Sequence, residues 1–304
     1  MADMRVNIAG VEFKNPIIMA SGTFGFGREY GVFYPLSKLG GISGKGTTLH
    51  PRSGNPPPRI AETPSGILNS VGLQNPGVHH FIEEDLPWMR QQGTVAIANV
   101  AGSTTEDYCE TVSLLSTTDV DMIELNISCP NVREGGVAFG TSCHSVEAIT
   151  KAVRRCCTKP LMVKLSPNVA DIGEIAAAAE AAGADAVSLI NTLTGMRIDL
   201  KTRRPVLHNN TGGLSGPAVF PVAVRMVCQA ARRVNIPVVG MGGIARWQDA
   251  AEMMLAGAAA VQVGTAVFAD PYAPLKILEG LEQYLDENHI PRASDLTGQV
   301  QLWD

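Results

Sequence analysis

Ala182-Gly183-Ala184-Asp185-Ala186-Val187 ends an alanine-rich helical segment on a glycine and opens an apolar strand, and Ala256-Gly257-Ala258-Ala259-Ala260-Val261 repeats the join. In both, the glycine stands where a helix ends in the left-handed conformation. Working outward from these joins, short apolar strands alternate with helical stretches along the whole chain. The strands fall at 16–20, 41–45, 95–100, 122–126, 161–165, 186–190, 237–241 and 260–263. Alternation of this kind argues for a parallel sheet with crossover helices. Eight such strands predict an α/β fold of the (β/α)8 TIM-barrel type.

The 304 residues suit one large barrel, since about 250 residues is usual for the fold and insertions extend it. No linker composition divides the chain, so 1–304 reads as a single domain. Residues 6–8 and 11–13, split by Ala9-Gly10, predict a small N-terminal hairpin plugging the barrel bottom. The Pro-, Gly- and Asn-rich stretch 51–76, with extended pieces at 59–62 and 66–69, reads as an insertion over the C-terminal mouth. A second insertion spans about 192–218.

Composition excludes several classes. A formal charge of −5 with scattered Lys and Arg gives no basic footprint, which argues against nucleic acid. No stretch reaches the roughly 18 apolar residues that span a bilayer, and the N-terminus lacks the apolar core of a signal peptide, so a cytoplasmic protein is expected. The six cysteines form no C-x-x-C pair, which argues against a metal or iron–sulfur site in this chain and for reduced thiols.

Active sites of this fold lie at the C-terminal ends of the strands. The polar residues there are Ser21, Lys45, Asn99, Asn126, Lys164, Asn191-Thr192, Gly242-Gly243 and Gly264-Thr265. Lys164, between Val163 and Leu165, needs a reason, because an unpaired buried ammonium is costly. Gly242-Gly243 and Gly264-Thr265 follow the seventh and eighth strands, the usual phosphate site of such barrels. Gly240-Met-Gly-Gly-Ile-Ala245 matches the loose dinucleotide fingerprint but lacks a well-placed acid further on, and the run before Lys45 has Leu39 where a P-loop needs glycine. In Asn126-Ile-Ser-Cys-Pro-Asn131, amide side chains flank one cysteine just past a strand, with Pro130 stopping the strand and putting Cys129 on a loop. Paired asparagines match the imide edges of a pyrimidine-like ring, and a thiol accepts a proton within reach of neutrality. The plainer reading of Cys129 is a small core hydrophobe. Together these residues fit a phosphorylated flavin over the barrel with a substrate stacked on it.

The motifs Asn15-Pro-Ile-Ile-Met-Ala-Ser-Gly22, Thr47-Thr-Leu-His-Pro-Arg52, Asn69-Ser-Val-Gly-Leu-Gln-Asn-Pro-Gly77, Asn126-Ile-Ser-Cys-Pro-Asn131, Val163-Lys-Leu-Ser-Pro-Asn168, Ile190-Asn-Thr192, Gly212-Gly-Leu-Ser-Gly-Pro217 and Gly240-Met-Gly-Gly-Ile244 follow one another in order over nearly the whole chain. In these the chain resembles the dihydroorotate dehydrogenases, and specifically the class 1B catalytic subunits. It departs from that pattern in the glycines on both sides of Lys45.

The resemblance implies FMN held by Ser21, Lys45, Gly46, Asn99, Asn126, Lys164, Ile190, Gly216, Gly242, Gly243, Gly264 and Thr265. It implies dihydroorotate held by Lys45, Asn69, Ser70, Val71, Gly72, Leu73, Asn126, Asn131, Asn191 and Thr192, with Cys129 as catalytic base and Lys45 and Lys164 assisting. The segment 129–140, with Gly135-Gly136 as a hinge, is expected to close over the ring. The resemblance also implies an electron-transfer subunit carrying FAD and a [2Fe-2S] cluster, delivering to NAD+ in a heterotetramer. Membrane-bound class 2 enzymes have Ser at the Cys129 position and an N-terminal amphipathic extension, neither of which this sequence shows. Alternatives are a class 1A homodimer using fumarate, a flavin-dependent tRNA dihydrouridine synthase, which would need basic surface, and a non-redox barrel binding a phosphorylated ligand.

Overall fold

The structure is a computed structural model and describes residues 1–127 and 139–303. Its centre is a closed barrel of eight parallel strands. In chain order these are β3 (Ile17–Met19), β4 (Gly41–Ser43), β7 (Val95–Val100), β8 (Met122–Asn126), β9 (Leu161–Lys164), β10 (Ala186–Leu189), β15 (Val238–Met241) and β16 (Ala260–Val263). Each pairs with the next, and β16 closes on β3. The remaining strands are the hairpin β1 (Val6–Ile8) and β2 (Val11–Phe13), then β5 (Ile60–Thr63), β6 (Gly66–Asn69), β11 (Leu193–Gly195), β12 (Ile198–Asp199), β13 (Arg204–Pro205) and β14 (Gly212–Ser215).

All eight barrel strands and the hairpin fall where the sequence predicts them, with small differences at the ends. The strand read at 237–241 begins one residue later because Pro237 has no N–H to donate; its carbonyl still accepts from Val187 N at 3.0 Å. The strand read at 41–45 ends at Ser43. Gly44 donates once more to Ile97 O at 3.0 Å, and the chain then turns so that Lys45 leaves the ladder.

Helices cover the outside of the barrel. Thr104 and Asp107 cap Thr105–Ser116 reciprocally, and the Asp171 carboxylate accepts from Gly173 and Glu174 at the start of Ile172–Ala181. Gly183 and Gly257 of the two joins have φ of +99° and +127°, which suits glycine. Strand alternation sends Ile123 and Leu125 towards the helices and Met122, Glu124 and Asn126 into the barrel. All five are buried. No helix among the described residues is long and apolar enough to cross a membrane.

The two insertions are not separate. Strands β5 and β6 come from the first, β11 and β14 from the second, and they form one antiparallel sheet in the order β11-β14-β6-β5. Register Gly213↔Asn69 and Ser215↔Ile67 welds residues far apart in sequence into a single cover. The sheet hands its inner ends to the mouth: β6 runs into the loop at Ser70–Leu73, and β11 starts just after Thr192.

Candidate active site at the barrel mouth

A cavity opens at the C-terminal ends of the strands, between the barrel and the cover sheet. Its floor and walls bring together Lys45, Lys164 and Gln262 from the barrel, the amides Asn69, Asn126 and Asn191, and the backbone of Gly242-Gly243 and Gly264-Thr265. Gly242 and Gly243 have φ of +122° and +78°, so this turn is built on glycine. Two lysines and several amides thus converge in one apolar-walled cleft.

Lys164 is only 5% exposed, and its ammonium is the foremost of the influences that lower the carboxyl of Glu124, buried inside the barrel. Glu124 is fully buried and accepts four hydrogen bonds. Ser43 Oγ (2.6 Å) and Asn99 Nδ2 (2.6 Å) reach Oε2, while Ser188 Oγ (2.7 Å) and Gln262 Nε2 (2.8 Å) reach Oε1. Burial pushes the Glu124 carboxyl up, but the Lys164 ammonium and these donors outweigh it and hold the group below the usual carboxylate range. It is therefore an anion, with Lys164 supplying the opposite charge. Lys45 lies across the cavity, half-buried, with Nζ 3.9 Å from where a Cβ on Gly22 would stand.

An ionised carboxylate only accepts, so both amides facing it must turn their NH2 groups towards it. Asn99 Oδ1 is then left to accept from Asn126 Nδ2 (3.4 Å), and Asn126 Oδ1 accepts from Asn191 Nδ2 (3.5 Å). Asn191 Oδ1 in turn accepts from Thr192 N at 2.8 Å. Gln262 likewise turns its Oε1 away from Glu124; among the described residues this buried oxygen has no partner.

The mouth loop rests on buried Asn75. Its Nδ2 donates to Thr48 Oγ1 (2.8 Å) and Leu73 O (2.7 Å), and its Oδ1 accepts from Thr48 N (3.1 Å) and Gly77 N (2.9 Å). Asn75→Ala leaves these groups buried and unpaired. The expected loss is about 1–3 kcal/mol of stability, with faster amide exchange over 69–77, checked by thermal denaturation and hydrogen exchange. Unchanged exchange in that loop would show that Asn75 does not hold it.

Of the predicted cofactor residues, Ser21, Lys45, Gly46, Asn126, Lys164, Ile190, Gly242, Gly243, Gly264 and Thr265 line the cavity. Of the predicted substrate residues, Lys45, Asn69, Val71, Gly72, Leu73, Asn126, Asn191 and Thr192 do. Three lie elsewhere. Asn99 is fully buried beneath Gly46, with its amide engaged by Glu124 and Asn126. Ser70, the first residue past β6, is also fully buried, with its N–H on Arg59 O. Gly216 lines an adjoining cleft that shares Gly243 and Thr265 with the first. Cys129, Asn131 and the hinge Gly135-Gly136 lie outside the described residues.

Sequence reasoning missed Glu124, Gln262 and Asn75. The signal for Glu124 was the one that singled out Lys164, a charge inside an apolar strand. The unexpected glycine before Lys45 has a packing reason: a Cβ on Gly44 would stand 3.1 Å from the Phe26 ring.

Comparison with known proteins gives one answer. The family model for dihydroorotate dehydrogenase matches residues 3–285. A protein of Alkaliphilus metalliredigens named dihydroorotate dehydrogenase B (NAD(+)), catalytic subunit, is 56% identical over 98% of this chain and 99% of its own length. Proteins of the same name from Phocaeicola vulgatus and Thermoanaerobacter pseudethanolicus are 55% and 51% identical, each over 99% of this chain and, respectively, 100% and 99% of their own lengths.

Proposed function

The chain belongs to the dihydroorotate dehydrogenase family, and from that premise we propose that it oxidises (S)-dihydroorotate to orotate in UMP biosynthesis, using FMN and passing the electrons through a partner subunit to NAD+. The observation that carries the reading is the convergence of Lys45, Lys164 and three asparagine amides in one cavity at the barrel mouth. Orotate is a planar imide with a carboxylate. Cations and two-faced amides are the groups that recognise it.

The residues present fit FMN. The buried Gln262 Oε1 offers an acceptor to a ring N–H, and the glycine turns at Gly242-Gly243 and Gly264-Thr265 give a phosphate close access to backbone. Ser21, Lys45, Gly46, Asn126, Lys164, Ile190 and these glycines would hold the cofactor, with Gly216 in the adjoining cleft and Asn99 supporting from beneath. Bound FMN supplies the hydride acceptor. Lys164 places a fixed positive charge beside it, and Lys45 with the Val71-Gly72-Leu73 backbone meets the substrate carboxylate. Asn69, Asn126, Asn131, Asn191 and Thr192 orient the ring. Cys129 takes the proton from the carbon next to the substrate carbonyl. The cover sheet excludes water.

We read residues 1–304 as one cytoplasmic domain that works with an electron-transfer subunit carrying FAD and a [2Fe-2S] cluster, two copies of each forming a heterotetramer. The name catalytic subunit carried by the relatives supports a partner. Purified alone, the chain is expected to show a flavin spectrum, to be bleached by dihydroorotate and to reduce small artificial acceptors. NAD+ reduction is expected only on addition of the iron–sulfur flavoprotein. Efficient turnover of the isolated chain with fumarate would replace this reading with the class 1A one, and absence of flavin would leave a phosphate-ligand-binding barrel.

A further inference from the structure

The mechanism above has no use for Glu124, although a buried carboxylate with four donors from four other strands is among the costliest groups to assemble in a core. Three geometric facts bear on its role. It lies on β8 two residues before Asn126, which is in register with Lys164 on β9. Its oxygens take the NH2 groups of Asn99 and Gln262, which fixes the oxygens of both amides away from it. The hydroxyls of Ser43 and Ser188 complete the set, so the carboxylate cannot turn without losing a partner.

We propose that Glu124 is a positioning residue for flavin chemistry: it balances the charge of Lys164 at the cavity floor and, by taking the NH2 groups of Asn99 and Gln262, sets which way the amides of Asn126 and Gln262 face the ligands. The proposal rests on the flavin reading above. The charged groups facing Lys164 among the described residues are Glu124 below it and Lys45 across the cavity; the neighbouring strands otherwise offer neutral Ser43, Asn99, Asn126, Ser188 and Gln262. Among these groups Glu124 is the anion, so it is the one that balances Lys164.

Glu124→Gln conserves shape but removes the charge and introduces donors where only acceptance was needed. At least one of the facing amides must then invert, reversing the polarity passed to Asn126 and Asn191. Lys164 is left buried without its counter-charge, a situation in which lysines shed their proton. Reducing the bound flavin in this variant should therefore draw an additional proton above neutral pH.

The experiment compares wild type, Glu124→Gln, Lys164→Met and the double variant, all refolded with FMN. Free-FMN titration of apoprotein gives the dissociation constant, and spectroelectrochemistry gives the midpoint potential against pH. Glu124→Gln is expected to weaken FMN binding at least tenfold and to add one proton per two electrons to the slope of potential on pH. In the double variant the binding loss should fall short of the sum of the two single losses, because part of the effect of Glu124 passes through Lys164. Additive losses, or a Glu124→Gln variant with wild-type affinity and slope, overturn the proposal. Should Glu124→Gln fail to fold, Ser43→Ala, which keeps the carboxylate charge but removes one of its donors, is expected to weaken FMN binding without changing the slope of potential on pH, and wild-type affinity in that variant overturns the proposal. If wild-type protein takes up no FMN, the flavin reading falls; if it does and the variants are indistinguishable, only this inference falls.

Discussion

Cys129→Ala is expected to lose dihydroorotate oxidation by about 10²–10⁴-fold at neutral pH, the range a positioned general base supplies, while keeping its flavin. The substitution deletes the proton acceptor and none of the side chains assigned to FMN. Cys129→Ser separates the base from the bulk of the side chain. A hydroxyl is a far weaker acid than a thiol, so its base form is scarce near neutrality and turnover should climb steadily with pH. Steady-state rates from pH 6 to 10 with an artificial acceptor measure both variants. Wild-type turnover by Cys129→Ala, or a flat profile for the serine variant, would remove Cys129 from the mechanism.

Lys164→Ala is the second large effect. Without the ammonium, the negative charge that accumulates at the cavity floor on hydride transfer is unopposed. Flavin reduction should slow by about 10²–10³-fold, as for loss of one preorganised electrostatic donor. Stopped-flow reduction by dihydroorotate reads this directly, and the flavin content after dialysis reads retention. The variant should also become more sensitive to acid. The folded-state value of Glu124 lies below its ordinary one, so it contributes stability above the usual carboxylate range that is lost as pH falls through the folded value. Removing Lys164 raises that folded value, so acid unfolding should begin at higher pH. An unchanged reduction rate with a full flavin complement would make Lys164 a structural residue.

How much of this was legible beforehand follows from where each signal resides. The barrel strands announce themselves because each is a short, nearly continuous apolar run bounded by helix ends, and such runs have few other fates. Lys45, Asn126, Lys164 and Asn191 were legible because a polar residue at the end of an apolar strand needs an occupation. Glu124 was not, since its meaning depends on Ser43, Asn99, Ser188 and Gln262, which lie on four other strands and come together only when the barrel closes. Asn99 reads in sequence as polar and inward, and only the closed barrel adds that it lies beneath Gly46. Ser70 and Gly216 were assigned by their motifs, and the closed structure adds that Ser70 is buried and that Gly216 borders the adjoining cleft. The pairing of β6 with β14 left no trace in the pattern, because Gly212-Gly213 carries no side chains to alternate.

That pairing sets a rule for moving parts between barrels. Asn69 Nδ2 reaches Gly213 O at 3.5 Å across 144 positions of sequence, and a Cβ on Gly213 would stand 1.9 Å from Thr192 Oγ1. The two insertions are thus two halves of one transplantable part. A graft that carries 51–76 into another scaffold without 192–218 would leave β6 as a bare edge, open to pairing with other chains. The unit that a designer, or recombination between related genes, can exchange intact is the pair.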